Sequence, residues 1–101
     1  MVEVIKKSDF ESKVEQSEGL VLVDFYADWC NPCKMLGPVV ADVAKEYEGK
    51  VKFYKLNVDN AQDIAIKYRV VSIPMLILFK DGKQINSSIG FVDADTIKAM
   101  F

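Results

Sequence analysis

An apolar segment that runs directly into a pair of cysteines limits the folds open to this chain. Residues 20–27 are too short and too β-branched for a helix, and both sets of alternate positions are mostly apolar. This pattern predicts a central strand that is covered on both faces, as in an α/β sheet. The segment from Trp29 to Lys34 follows at once and holds the only tryptophan and both cysteines. The strand therefore places two thiols at the start of the next element.

The element after the cysteines is predicted to be a helix. Pro32 suits the first turn of a helix, where its missing N–H costs nothing. Apolar residues then recur at helical spacing from Lys34 to Glu48. The N–H groups and partial positive charge at a helix N-terminus stabilise a thiolate. We expect Cys30 to lie at this terminus, exposed and reactive, and Cys33 to lie one turn deeper and less exposed.

The rest of the chain alternates strands and helices and then forms a hairpin. Further strands are predicted at 2–5, 51–58, 75–80 and 83–89, and further helices at 8–16, 61–68 and 93–101. Asp81-Gly82 is a hairpin turn signal. The alternation predicts parallel strands at the front of the sheet, and the hairpin predicts an antiparallel pair at the back. We expect one α/β domain over residues 1–101.

Charge and hydropathy exclude several classes of partner. The chain has 13 basic and 15 acidic residues without a block of like charge, so no electrostatic surface for nucleic acid is indicated. No apolar stretch is long enough to span a bilayer, and the lysines near the N-terminus are not followed by a signal-peptide run. We therefore expect a cytoplasmic monomer with neither nucleic acid nor membrane as a partner.

The two cysteines and the absence of histidine restrict the chemistry. A zinc or iron–sulfur site within one chain needs more ligands than two thiols. A structural disulfide across so short a loop would constrain the unfolded chain little. A dithiol that cycles between reduced and oxidised forms fits best. Cys30 would attack a substrate disulfide, and Cys33 would then attack Cys30 and release the reduced substrate, without a metal or a bound cofactor.

Asp24 is, beside the two cysteines, a further candidate for a catalytic role. In a strand covered on both faces, burial should raise the pKa of its carboxyl, which could then act as the base for Cys33. The alternative is an aspartate at the strand edge that points to solvent. Lys55 could be the charge partner of Asp24, or its ammonium could simply reach water. From the residues alone, Ile73-Pro74 is not favoured to be cis.

Several motifs at matching spacing resemble the thioredoxin family. The segment 21–34 resembles its active-site signature, and counterparts follow at 55–59, 72–74, 79–83 and Gly90. The resemblance covers essentially the whole chain. It implies a thioredoxin-like fold, with a central five-stranded mixed sheet flanked by four helices. It also implies a protein disulfide reductase with a redox-active disulfide between Cys30 and Cys33, whose partners are a thioredoxin reductase and disulfide-containing proteins.

The resemblance also assigns site residues. Asp24 and Lys55 would form a buried pair that manages the proton of Cys33, and Ile73-Pro74 would be a cis bond. Substrate would bind an apolar groove formed by Trp29, Pro32, Val58, Ile73, Pro74, Ile89 and Gly90. The chain departs from the family pattern at three positions. Asn31 replaces a glycine and would tune the redox potential. Met75 replaces a threonine and Tyr26 a frequent tryptophan, and both could alter substrate or reductase preference.

Three other functions are compatible with the same fold. An oxidant or isomerase of secreted proteins would often carry histidine between the cysteines and would need export, and the sequence shows neither feature. A glutaredoxin-like protein would resemble Cys-Pro-Tyr-Cys, and that tyrosine is absent here. A protein-binding module could use the groove around Ile73 and Gly90 without redox chemistry. The presence of both cysteines together with Asp24 argues against a binding module without redox chemistry.

Overall fold

Five strands form one mixed sheet, whose central strand is the apolar segment before the cysteines. The structure is a computed structural model that describes residues 1–101. The strands are β1 (Val2–Val4), β2 (Leu20–Tyr26), β3 (Val51–Asn57), β4 (Met75–Lys80) and β5 (Lys83–Ile89), in the spatial order β1-β3-β2-β4-β5. Both β1 and β2 pair with β3 in parallel, whereas β4 is antiparallel to β2 and to β5. The predicted parallel front and antiparallel back are confirmed.

Four helical segments flank the sheet, as the resemblance implied. The α-helices are α1 (Asn31–Glu46), α2 (Gln62–Lys67) and α3 (Ala94–Lys98). The first segment, here called the N-terminal helical segment, is irregular, because a 3-10 turn at Lys7–Asp9 is followed by a π turn at Glu11–Glu15. A second 3-10 turn, Val58–Asn60, leads into α2. None of these helices combines the length and the apolar character that crossing a bilayer requires.

Strand β2 is buried on both faces, as predicted. On one face, Val21, Val23 and Phe25 pack with Phe10 and Val14 of the N-terminal helical segment. On the other face, Leu22 belongs to a cluster that includes four α1 residues and one α3 residue: Leu36, Val40, Val43, Ala44 and Ile97. Because side chains alternate along a strand, Asp24 shares the α1 face with Leu22 and Tyr26.

The turn between β4 and β5 is fixed against the segment before β2. The Gly19 N–H donates to Asp81 Oδ1 at 2.8 Å, and the Asp81 N–H donates to the Gly19 carbonyl oxygen at 3.0 Å. Gly82 has φ +81°, and a Cβ there would overlap the carbonyl oxygen of Glu15. The turn therefore requires glycine both for its backbone conformation and for its close approach to Glu15.

Candidate active site

The carboxyl end of β2 and the N-terminus of α1 meet at the two cysteines. Cys30 is the N-cap of α1, and its Sγ accepts a hydrogen bond from the Cys33 N–H at 3.2 Å. Asn31 and Pro32 are exposed in the first turn of the helix. The predicted position of Cys30 at the helix terminus is confirmed. A negative charge on this sulfur would be stabilised by the helix N-terminus and by that N–H.

Cys30 and Cys33 form a disulfide, with their Cα atoms 5.2 Å apart. The prediction that Cys30 is exposed is wrong, because Cys30 is 4% and Cys33 5% exposed. Both pack with Ala27, and three half-buried side chains lie against them: Tyr26, Val58 and Ile73. The two sulfurs therefore differ in their position relative to the helix terminus and not in the burial of their residues.

Asp24 is buried in the middle of the sheet, with 2% of its surface exposed. Its Oδ1 accepts no hydrogen bond from the protein. Burial raises the pKa of the carboxyl to about 6, and the positive charge of Lys55 opposes part of that rise. The predicted burial and raised pKa are confirmed, and the alternative of an aspartate pointing to solvent is wrong.

Lys55 lies opposite Asp24 in the β2–β3 register but forms no ion pair with it. Its Nζ lies 4.4 Å from the centroid of the Tyr26 ring instead. Tyr26 is two residues beyond Asp24 on the same strand face, so its ring is within reach of the same ammonium group. Lys55 therefore acts on Asp24 through its charge, as a charge partner would, and without a direct ion pair.

A small cavity of about 160 Å³ lies beside Cys33 and Lys55. It is lined by Tyr26, Ala27, Asp28, Cys33, Lys34 and Lys55. A cavity of this size with polar walls can hold several water molecules. Water can therefore approach Cys33 from the side of α1 that faces β3.

The segment before β4 forms the opposite wall of the site. The Ile73-Pro74 peptide is cis, as the resemblance implied. Pro74 is buried, and its carbonyl oxygen accepts a hydrogen bond from the Gly90 N–H at 2.7 Å. The N–H and C=O of Ile73 make no backbone hydrogen bond within the protein. They remain free for a chain that lies alongside the dithiol.

The other residues expected in the groove differ in exposure. Trp29 is 68% and Ile89 61% exposed. The Trp29 indole N–H donates to Asp59 Oδ2 at 3.0 Å, and the Asp59 N–H donates to Asn57 Oδ1 at 2.9 Å. Of the expected groove residues, Val58 and Ile73 pack against the cysteines, and Gly90 is hydrogen-bonded to Pro74.

Two contacts of the site were not predicted from the sequence. One is the hydrogen bond from Trp29 to Asp59, which joins residues 30 positions apart. The other is the contact of Tyr26 with Lys55. The shared face of Asp24 and Tyr26 was the available signal for the second contact. No group of three or more histidine, cysteine, aspartate or glutamate side chains is placed to hold a metal ion.

Comparison with known proteins agrees with this geometry. The thioredoxin family model matches residues 1–101. Thioredoxins from Staphylococcus aureus strains Mu50, MW2 and N315 are each 51% identical to this chain over 87 residues, which is 86% of this chain and 82% of each relative. The chain therefore belongs to the thioredoxin family.

Proposed function

We propose that this protein reduces disulfides in other proteins by dithiol–disulfide exchange through Cys30 and Cys33. The observation that carries the proposal is the cysteine pair at the start of α1, where Cys30 Sγ already accepts the Cys33 N–H. A helix terminus favours the thiolate, which is the attacking form of cysteine. Membership of the thioredoxin family supports the same activity.

In the first step, the Cys30 thiolate of the reduced protein attacks one sulfur of a substrate disulfide. A bond forms between Cys30 and that sulfur, and the other substrate sulfur leaves as a thiolate. The helix terminus that would stabilise the Cys30 thiolate is already formed in the disulfide form of the protein.

In the second step, Cys33 loses its proton and attacks Cys30. The Cys30–Cys33 disulfide forms, the remaining substrate sulfur leaves as a thiolate, and two electrons have passed to the substrate. We propose Asp24 as the proton acceptor, because a carboxyl with a pKa of about 6 can exchange protons near neutral pH. The cavity beside Cys33 has room for water next to this thiol. Lys55 modulates Asp24 by its charge.

Substrate binds the apolar groove around the dithiol. We assign to it Trp29, Pro32, Val58, Ile73, Pro74, Ile89 and Gly90. The free N–H and C=O of Ile73 suit an extended substrate chain, which would pair with them as an added strand does. Asn31, exposed between the cysteines, is assigned a role in tuning the redox potential.

The partners follow from the same proposal. A thioredoxin reductase would return the protein to its dithiol form, and disulfide-containing proteins would be its substrates. The protein would act as a single domain and a monomer in the cytoplasm, without a bound cofactor. The competing functions are a glutaredoxin-like activity, which would require reduction by glutathione, and a binding module without redox activity.

The proposal is tested by insulin disulfide reduction with dithiothreitol. The native protein should accelerate the reaction, and Cys30→Ser should not exceed the dithiothreitol background. Circular dichroism of both proteins serves as the control for folding. No acceleration by the native protein would favour the binding module, and equal activity of the variant would remove the role of Cys30.

A coupled assay separates the thioredoxin from the glutaredoxin function. The oxidised protein is mixed with NADPH and either a bacterial thioredoxin reductase or glutathione with glutathione reductase. We expect NADPH consumption with the first system and not with the second. The reverse result would establish the glutaredoxin-like alternative.

A further inference from the structure

The register of β2 and β3 would allow a direct ion pair between Asp24 and Lys55. The two residues are Cα partners on adjacent parallel strands, so their side chains leave the same face of the sheet about 4.8 Å apart. The four-carbon stem of lysine is long enough to bring its ammonium to the carboxylate. A buried carboxylate without a hydrogen bond at Oδ1 would attract it strongly.

The ammonium of Lys55 lies instead against Tyr26. Its Nζ is 4.4 Å from the ring centroid, which is within the range of a cation–π contact. The ammonium lies over the face of the Tyr26 ring, and the Tyr26 hydroxyl takes part in none of the side-chain hydrogen bonds of the protein. Because Tyr26 lies beyond Asp24 along β2, it draws the lysine towards the end of the strand and towards the cavity.

The side chains around this contact come from three parts of the fold. Lys55 belongs to β3, and Lys34 and Cys33 belong to α1. Asp28 lies in the loop between β2 and α1, and all of these residues line the cavity of about 160 Å³ together with Tyr26. Tyr26 also lines a second cleft beside β1 and the 3-10 turn before α2. Its ring therefore forms a wall between that outer cleft and the cavity next to Cys33.

We propose that Tyr26 is a positioning residue whose ring holds the Lys55 ammonium away from the Asp24 carboxylate. This inference rests on the proposed role of Asp24 as the proton acceptor for Cys33. A carboxylate in a direct ion pair stays ionised and takes up a proton poorly. With Lys55 held at the ring, Asp24 keeps its affinity for a proton while still experiencing the positive charge nearby.

The test measures the pKa of Asp24 in the oxidised protein by carbon-13 NMR of its carboxyl group. In the disulfide form Cys33 carries no titrating proton, so the Asp24 titration is not coupled to a thiol. Tyr26→Phe keeps the ring and should leave the pKa at its native value. Tyr26→Leu removes the ring and should lower the pKa by about one unit, because Lys55 is free to pair with the carboxylate.

Repeating the measurement in a Lys55→Met protein shows whether a fall in the pKa of Asp24 comes from ion pairing or from entry of water. Removal of the ring could lower the pKa of Asp24 simply by hydrating it. In Lys55→Met there is no ammonium to pair, so adding Tyr26→Leu should leave the pKa of Asp24 unchanged. An equal fall in both backgrounds would overturn the proposal, as would no fall with Tyr26→Leu in the native background. Tyr26→Met, which fills much of the same volume, replaces the leucine variant if that variant does not fold.

The titration does not depend on catalysis. If insulin reduction failed while the pKa of Asp24 responded to Tyr26 through Lys55, the proposed function would be wrong and the positioning of Lys55 would stand. If insulin reduction succeeded and the pKa did not respond, only the role of Tyr26 would be lost.

Discussion

Asp24 is a carboxyl group held where its charged form is poorly solvated. It lies in the central strand with 2% of its surface exposed, and its pKa is raised to about 6 by burial. A fold that held such a group only for stability would do better with a neutral residue of similar size. The free-energy cost of burying the Asp24 carboxylate is consistent with a role in moving the proton of Cys33.

The stability of an Asp24→Asn variant should depend on pH in a defined direction. The folded-state pKa of about 6 lies above the ordinary aspartate pKa of 3.8, so the native protein loses stability as pH rises between these two values. The asparagine variant does not titrate there. Its stability advantage over the native protein should therefore be larger near pH 7.5 than near pH 4.5, by about 1–2 kcal/mol.

Urea unfolding of both proteins at the two pH values measures this difference. The comparison is made within each pH, so other titrating groups cancel. If the two proteins differed in free energy of unfolding by the same amount at both pH values, ionisation of the buried Asp24 would not destabilise the folded protein.

Single residues were predicted unevenly from the sequence. The burial of Asp24 followed from its apolar neighbours, because alternation in a strand is a local property. The contact of Lys55 with Tyr26 could not be predicted, because a flexible lysine had two partners on the same face. The burial of Cys30 was missed because Val58 and Ile73, which cover it, are distant in the chain.

Whole elements were predicted best where their signals were local. The hairpin strands were expected at 75–80 and 83–89 and occupy Met75–Lys80 and Lys83–Ile89, because Asp81-Gly82 fixes the turn between them. The N-terminal helical segment was expected as one helix and consists of a 3-10 and a π turn. Its two buried residues, Phe10 and Val14, lie four positions apart, and several kinds of helical winding place such a pair on one side.

The hairpin turn gives a prediction about backbone packing. Gly82 and Gly49 have nearly equal φ values, +81° and +84°, but only at Gly82 would a Cβ meet another atom, the Glu15 carbonyl oxygen. Gly49→Ala should cost about 1 kcal/mol from the strained backbone. Gly82→Ala should cost about 1–3 kcal/mol more, because the Glu15 backbone must move.

Chemical unfolding of the two alanine variants at one pH measures this contrast. Gly49→Ala is the matched control, since it carries the same conformational strain without the overlap. Equal losses in the two variants would mean that the turn relaxes away from Glu15 at little cost.

At the scale of the whole molecule, the sheet order brings the site together. Strand β2 lies between β3 and β4, so the end of β2, the 3-10 turn after β3 and the cis bond before β4 meet at the N-terminus of α1. The chemistry of the cysteines could be inferred from their own neighbours. The proposed groove could be inferred only through the family resemblance, because Val58, Ile73 and Gly90 carry no local signal of the role proposed for them.

Trapping of the mixed disulfide tests the unequal roles of the two cysteines. Cys33→Ser and Cys30→Ser are each incubated in reduced form with insulin and examined by intact mass spectrometry. Cys33→Ser should accumulate a covalent adduct through Cys30 that dithiothreitol releases, because the resolving thiol is missing. Cys30→Ser should accumulate none. An adduct of equal yield on Cys33 in Cys30→Ser, or no adduct on Cys33→Ser, would contradict the exchange mechanism.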